Sequence, residues 1–158
     1  MSDIPSGEKR YALPAEKKEA ISAFLRVQLQ QQQQVRFAFV HGSFLDPVPC
    51  RDVDVALYFA DDTPPELQDD LCLTLNLECS HALGLPTDFR SLNTAGLDFR
   101  YAASQGRVLL ARDEDECADF RVRTWLEYWD FAPLAEQTLF DLLERSHSRP
   151  SRPSEGRR

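Results

Sequence analysis

Two apolar runs that lie close together in the sequence constrain the fold most strongly. The first covers residues 35–40 (VRFAFV), is rich in β-branched and aromatic residues, and is stopped by Gly42. The second covers residues 53–59 (VDVALYF) and follows a connection that contains two prolines. Runs of this composition are typical of strands. The sequence therefore predicts two consecutive strands joined by a tight turn and a loop.

The rest of the chain alternates helical and strand patterns. Helical spacing and turn residues predict a helix from Ala15 to about Gln34, which ends in five glutamines, and a short helix over 96–104. Thr63 and Glu66 are spaced as a capping box at the start of a helix that runs to Gly84. The remaining predicted elements are strands over 87–92 and 107–111 and a final helix over 113–144, bent near Pro133.

This order predicts one α/β or α+β domain with a mixed sheet flanked by helices. We expect residues 1–14 to form a flexible lead-in, residues 15–145 the domain, and residues 146–158 a disordered basic tail. The four cysteines show no CxxC spacing and are interpreted as reduced thiols. No apolar run could span a membrane and no signal peptide is recognisable, so a cytoplasmic protein is expected.

The charge of the chain argues against binding to bulk nucleic acid. The formal net charge is −8, and the local excess of arginine is confined to the end of the chain. Sequence-independent binding to a phosphate backbone depends on clustered Lys and Arg. We therefore expect no direct contact with nucleic acid.

Acidic residues at two strand starts suggest a site for a divalent cation. Asp52 and Asp54 flank Val53, so the period of two in a strand points them to the same face. Their repulsion is relieved by a cation such as Mg²⁺, which prefers carboxylate and phosphate oxygens. Asp88, in the third predicted strand, is the third candidate, although it could instead pair with Arg90 at an exposed strand start. Solubility of a loop would also explain an isolated Asp pair.

A Gly-Ser pair directly after the first strand is the candidate phosphate-binding turn. Gly42 lets the backbone approach a ligand, and amides and the hydroxyl of Ser43 can donate to phosphate oxygens. An ordinary turn explains the pair equally well when it is considered alone. If the two strands are neighbours, this turn and the Asp pair lie at one end of the sheet.

These residues carry a family resemblance. The segments GSFLDPVPCRDVDVALYF and PTDFRSLNTA resemble the minimal nucleotidyltransferases (MNT) of the polymerase-β superfamily, and within them the MNT antitoxins encoded beside HEPN-domain toxins. The resemblance implies a polymerase-β-like fold in which Asp52, Asp54 and Asp88 are the catalytic carboxylates and bind Mg²⁺. It also implies that Gly42 and Ser43 hold the phosphates of ATP.

The resemblance further implies an antitoxin that neutralises a HEPN ribonuclease, its hetero-oligomeric partner, by transferring AMP to one of its tyrosines. The connection between Ser43 and Asp52 is shorter than is common in the family, and Leu45 and Pro47 stand where many members carry a basic residue and a glycine. Arg51 is the candidate for the missing positive charge, unless it is a solvated loop residue. Neutralisation by binding alone and transfer to a small molecule remain as alternatives.

A late aromatic cluster is the last candidate feature. Trp125, Tyr128, Trp129 and Phe131 crowd one segment, which is typical either of an interface or of a cover over the sheet. His41, His81 and His147 show no spacing for metal ligation, and packing or solvent explains them.

Overall fold

The computed structural model describes residues 9–147 of the chain. Residues 1–8 and 148–158, which hold most of the predicted lead-in and tail, lie outside the described residues. In chain order, the elements are α1 (Ala15–Gln30), β1 (Val35–His41), a 3-10 helix (Gly42–Leu45), β2 (Val53–Phe59), α2 (Pro65–Leu83), β3 (Thr87–Ser91), α3 (Leu97–Ser104), β4 (Arg107–Ala111) and α4 (Glu114–His147).

The four strands form one mixed sheet in the order β3-β2-β1-β4. β1 is antiparallel to both β2 and β4, whereas β2 and β3 are parallel. The predicted α/β fold with a mixed sheet is therefore confirmed. In the described part of the chain, no helix is both long and apolar enough to cross a membrane.

Helices cover both faces of the sheet because alternate strand residues point to opposite sides. Ala38 and Val40 of β1 belong to the core cluster that includes α1 and α2. Phe37 and Phe39 point to the other side, into the cluster formed with α3 and α4. The site residues described below project from the edge of this second face.

Two local predictions were wrong. α2 is preceded by Pro64, and no side chain caps its first turn. The hydroxyl of Thr63 lacks a hydrogen-bond partner, so Thr63 and Glu66 form no capping box. The side-chain amide of Gln68 instead donates to the backbone carbonyl of Thr63 at 2.9 Å.

The second error concerns the end of α1, which lies at Gln30 and not near Gln34. The guanidinium of Arg112 donates to the carbonyls of Gln30 at 3.1 Å and Gln32 at 3.0 Å, and also to that of Val35 at 2.7 Å. A cation that binds carbonyls at a helix end satisfies groups that have no partner within the helix. The glutamine run thus leaves the helix because a distant arginine binds its backbone.

Candidate active site

The turn after β1 places Gly42 against the second Asp of the DxD sequence. Gly42 begins the 3-10 helix with φ of +76°, in the left-handed region that favours glycine. A Cβ at this position would lie 2.5 Å from Oδ2 of Asp54. The backbone conformation therefore requires glycine here, and a side chain at this position would also displace the carboxylate of Asp54.

Strand register brings Asp54 and Asp88 together. Asp54 on β2 is the direct partner of Asp88 on parallel β3 and of His41 on antiparallel β1. Directly paired residues on adjacent strands point to the same face, and neighbouring strands lie about 4.8 Å apart. The three side chains thus form a row across the sheet, with Asp54 at its centre.

Asp52 lies just before β2, which begins at Val53, where the predicted strand also begins. Its side chain is partly exposed, as are those of Asp54 and Asp88. Burial, followed by the charges of Asp52 and Asp88, raises the pKa of Asp54 to about 6. Three carboxylates thus interact electrostatically at one end of the sheet.

The donor set fits a hard divalent cation in its chemistry, because carboxylate oxygens are the side-chain ligands that Mg²⁺ prefers. Burial and then the negative charges of Asp52 and Asp88 raise the pKa of Asp54, and a bound cation would act in the opposite direction by favouring its ionised form. Within residues 9–147, however, no group of three or more His, Cys, Asp or Glu side chains is arranged so that it could hold a metal ion. Side-chain adjustment would therefore have to accompany metal binding.

The helix α2 fixes the edge strand that carries Asp88. The backbone N–H of Phe89 donates to Oδ1 of Asn76 at 2.7 Å, and that of Thr87 donates to Oγ of Ser80 at 3.0 Å. These bonds satisfy donors on the free edge of β3, which would otherwise be open to pairing with another strand. Asp88 lies between the two anchored residues, so α2 positions its carboxylate.

Positive charge beside Asp52 comes from two separate segments. A cavity of about 370 Å³ is lined by Lys9, Tyr11, Arg51, Asp52 and Pro86. The N-terminal segment is held there by reciprocal backbone hydrogen bonds between Tyr11 and Cys50, at 2.8 and 3.1 Å. The Arg51 charge also lowers the pKa of Asp54, although less than burial and the acidic neighbours raise it.

Sequence reasoning missed Lys9 and His41. Lys9 belongs to the segment predicted to be loosely held, and the pairing of Tyr11 with Cys50 brings it to this cavity. His41 was assigned to packing or solvent, but burial lowers its pKa and the charges of Asp88, Arg90 and Asp52 all act on it. Its position directly before Gly42, at the end of a strand, is the signal that could have identified it.

Arg90 is a further neighbour of the site. It lies two residues after Asp88 on β3, and its guanidinium carbon is 4.1 Å from the ring centroid of Phe99. The rings of Phe99 and His41 also meet in a T-shaped contact, with centroids 5.5 Å apart. Phe99 thus contacts both residues and links α3 to the row of side chains on the sheet.

Solved structures share this fold. The structure of the tri-AMPylated Shewanella oneidensis HEPN toxin in complex with MNT antitoxin contains a chain that matches with a TM-score of 0.61 and 16% identity, covering 80% of this chain and 98% of that one. A toxin–antitoxin MntA–HepT structure matches with a TM-score of 0.58 and 16% identity, over 78% and 98% of the two chains. A toxin–antitoxin structure with AMP-PNP matches with a TM-score of 0.60 and 17% identity, over 78% of this chain and 98% of that one. At these identities, the matches show a common fold.

No curated protein matches the sequence significantly. The family model for polymerase beta nucleotidyltransferases matches residues 25–115, which is more than half of the chain. That range includes the Gly-Ser turn and all three acidic positions. The chain therefore belongs to the polymerase beta nucleotidyltransferase family.

Proposed function

We propose that this chain is an antitoxin that acts in the cytoplasm and transfers AMP from ATP to a tyrosine of a HEPN ribonuclease toxin. The observation that carries the proposal is the direct register of Asp54 with Asp88, next to a turn in which Gly42 cannot be replaced without meeting Asp54. Family membership supplies the reaction class. The MNT antitoxin in a solved structure of the same fold accompanies an AMPylated toxin, which supports the choice of acceptor.

In the proposed reaction, backbone amides at Gly42 and the hydroxyl of Ser43 donate hydrogen bonds to the β- and γ-phosphates. The acceptor oxygen forms a bond to the α-phosphorus, the bond to the bridging oxygen breaks, and pyrophosphate leaves. We assign the acceptor proton to the carboxylate of Asp88. Asp52, Asp54 and Asp88 would hold Mg²⁺, which when bound neutralises the charge that develops on the phosphate oxygens.

Arg51 and Lys9 are proposed to supply the positive charge that the short loop lacks. Both line the cavity that contains Asp52. Cationic side chains at this point offset the charge of a triphosphate, and they act without entering the bond-forming step. Leu45 and Pro47, which replace a basic residue and a glycine of the family pattern, would then be tolerated.

Intact mass measurement tests the proposal. The chain is mixed with ATP, Mg²⁺ and the HEPN protein encoded beside it, and the expected result is a gain of one or more AMP masses on that protein. Asp52→Ala with Asp54→Ala should abolish the gain, whereas Asp62→Asn, an exposed carboxylate outside the site, should preserve it. An unchanged mass with the wild-type chain would refute transfer to this partner.

A second candidate, neutralisation by binding alone, is favoured by one observation. The described acidic residues form no group that could hold a metal ion as they lie. In that case the wild-type chain and the Asp52→Ala, Asp54→Ala variant would inhibit the ribonuclease equally, with no change in its mass. Loss of inhibition in the double variant, together with loss of AMP transfer, would exclude binding alone.

A further inference from the structure

The helix α4 carries an exposed apolar face that the domain does not cover. In its first half, Cys117, Phe120 and Thr124 are buried against the body of the protein. On another face, Val122 and Leu126 are each 54% exposed and Trp129 is 56% exposed. Large apolar side chains in a contiguous exposed row mark a surface that contacts another protein.

The row continues along the helix with regular spacing. Counting on from Trp129, alternate steps of four and three residues reach Pro133, Glu136, Phe140 and Leu143. Phe140 is 61% and Leu143 52% exposed, and residues 133–145 are all exposed. Steps of three and four are the pattern of a coiled-coil contact line. We call this row, from Val122 to Leu143, the α4 seam.

We propose that the α4 seam pairs with the same seam of a second copy of this chain, in antiparallel orientation. A two-fold axis near Pro133 places Val122 opposite Leu143 of the second copy and Leu126 opposite Phe140 of the second copy. Each contact then occurs twice, as an interface between identical surfaces requires. At 1.5 Å per residue the seam is about 32 Å long.

The charges beside the seam select the antiparallel orientation. Arg123, Asp130, Gln137 and Glu144 follow one flank at intervals of seven residues. Antiparallel pairing places Arg123 opposite Glu144 of the second copy, and Asp130 opposite Gln137 of the second copy. Parallel pairing would set this flank against the other one, which carries Trp125 and Leu139 and offers no charge. The helix is therefore complementary to itself in only one of the two directions.

The seam is about 32 Å long and is lined by five large apolar side chains, Val122, Leu126, Trp129, Phe140 and Leu143. Small stable interfaces bury roughly 600–800 Å² on each partner, which sets the area that the paired seams and their flanks must cover.

Sedimentation equilibrium of the full chain at micromolar concentration tests the proposal. The wild-type protein should have twice the mass of one chain. Leu126→Glu with Phe140→Glu should yield a monomer with unchanged circular dichroism, because both side chains are exposed. The matched control is Phe131→Glu with Leu142→Glu, at positions 54% and 57% exposed on the opposite side of the helix, which should remain dimeric.

Charge reversal tests the orientation. Arg123→Glu should weaken the dimer about tenfold, and adding Glu144→Arg should restore it, because the opposed pair is re-formed with reversed signs. A monomeric wild-type chain, or a control variant that dissociates equally, would overturn the proposal. It would also be overturned if the seam variant keeps the wild-type mass but no longer binds the neighbouring HEPN protein, since the seam would then belong to that partner.

Discussion

Replacement of Asp54 by asparagine should stabilise the protein in the absence of nucleotide and metal. The folded protein raises the pKa of Asp54 from 3.8 to about 6, chiefly through burial and then through Asp52 and Asp88. One pKa unit corresponds to about 1.4 kcal/mol, so ionisation of Asp54 opposes folding by up to about 3 kcal/mol. The side chain is only half-buried, and screening by water reduces the expected gain for Asp54→Asn to about 1–2 kcal/mol.

The pH dependence fixes the sign of this effect. Between pH 4 and 6 the folded state holds the Asp54 proton more tightly than the unfolded state, so stability falls as the pH rises through this window. The unfavourable contribution is complete above about pH 6 and absent below about pH 4. The stability gain of Asp54→Asn should therefore be present at pH 7.5 and should disappear by pH 4.

Urea unfolding at several pH values, with a chelator present, measures the effect. Asp62→Asn is the matched control, because Asp62 is exposed, and it should change stability by less than about 0.5 kcal/mol. Addition of Mg²⁺ and ATP should stabilise the wild-type protein and not Asp54→Asn. A variant that is less stable than wild type at pH 7.5, or a gain that persists unchanged at pH 4, would refute the electrostatic reasoning.

Three further substitutions test other parts of the site. Gly42→Ala should abolish nucleotide binding, measured by calorimetry, because its methyl group would meet Asp54 in a strained backbone; unchanged affinity would contradict this. Asn76→Ala should cost about 1–3 kcal/mol in urea unfolding, because the N–H of Phe89 loses its acceptor, and should lower kcat more than it raises KM. Lys9→Ala should raise KM for ATP several-fold with little effect on kcat. Lys17→Ala, at an exposed position, should leave both constants unchanged. Equal effects of the two variants would show that Lys9 does not contribute to the site.

Local sequence patterns predicted those elements and site residues whose structure depends on residues nearby in the sequence. The composition of residues 53–59 predicted β2, and the Asp-Val-Asp spacing identified the pair at its start. The end of α1 could not be predicted in this way, since it depends on Arg112, more than seventy residues away. His41 was missed for a related reason: its importance comes from register with Asp54 and thus from pairing across strands.

The aromatic cluster of α4 contains both residues that pack against the domain and residues that are exposed. Trp125 donates from Nε1 to Oγ of Ser104 at 2.9 Å, and the ring of Tyr128 stacks on Tyr101 with centroids 3.7 Å apart. Both residues thus pack against α3, whereas Trp129 and Phe131 remain exposed. Composition alone could not separate the two pairs, because the separation depends on which face of α4 meets the domain.

The loop that departs most from the family pattern is held by residues outside the matched family region. Lys18 donates to the carbonyl of Asp46 at 2.6 Å, and Tyr11 is bonded to Cys50 through the backbone. Both partners precede residue 25, where the family match begins. A short loop whose basic residue is Arg51 can therefore keep a fixed geometry and gain a second positive charge, because the N-terminal segment supplies the anchors and brings Lys9 to the cavity beside Asp52.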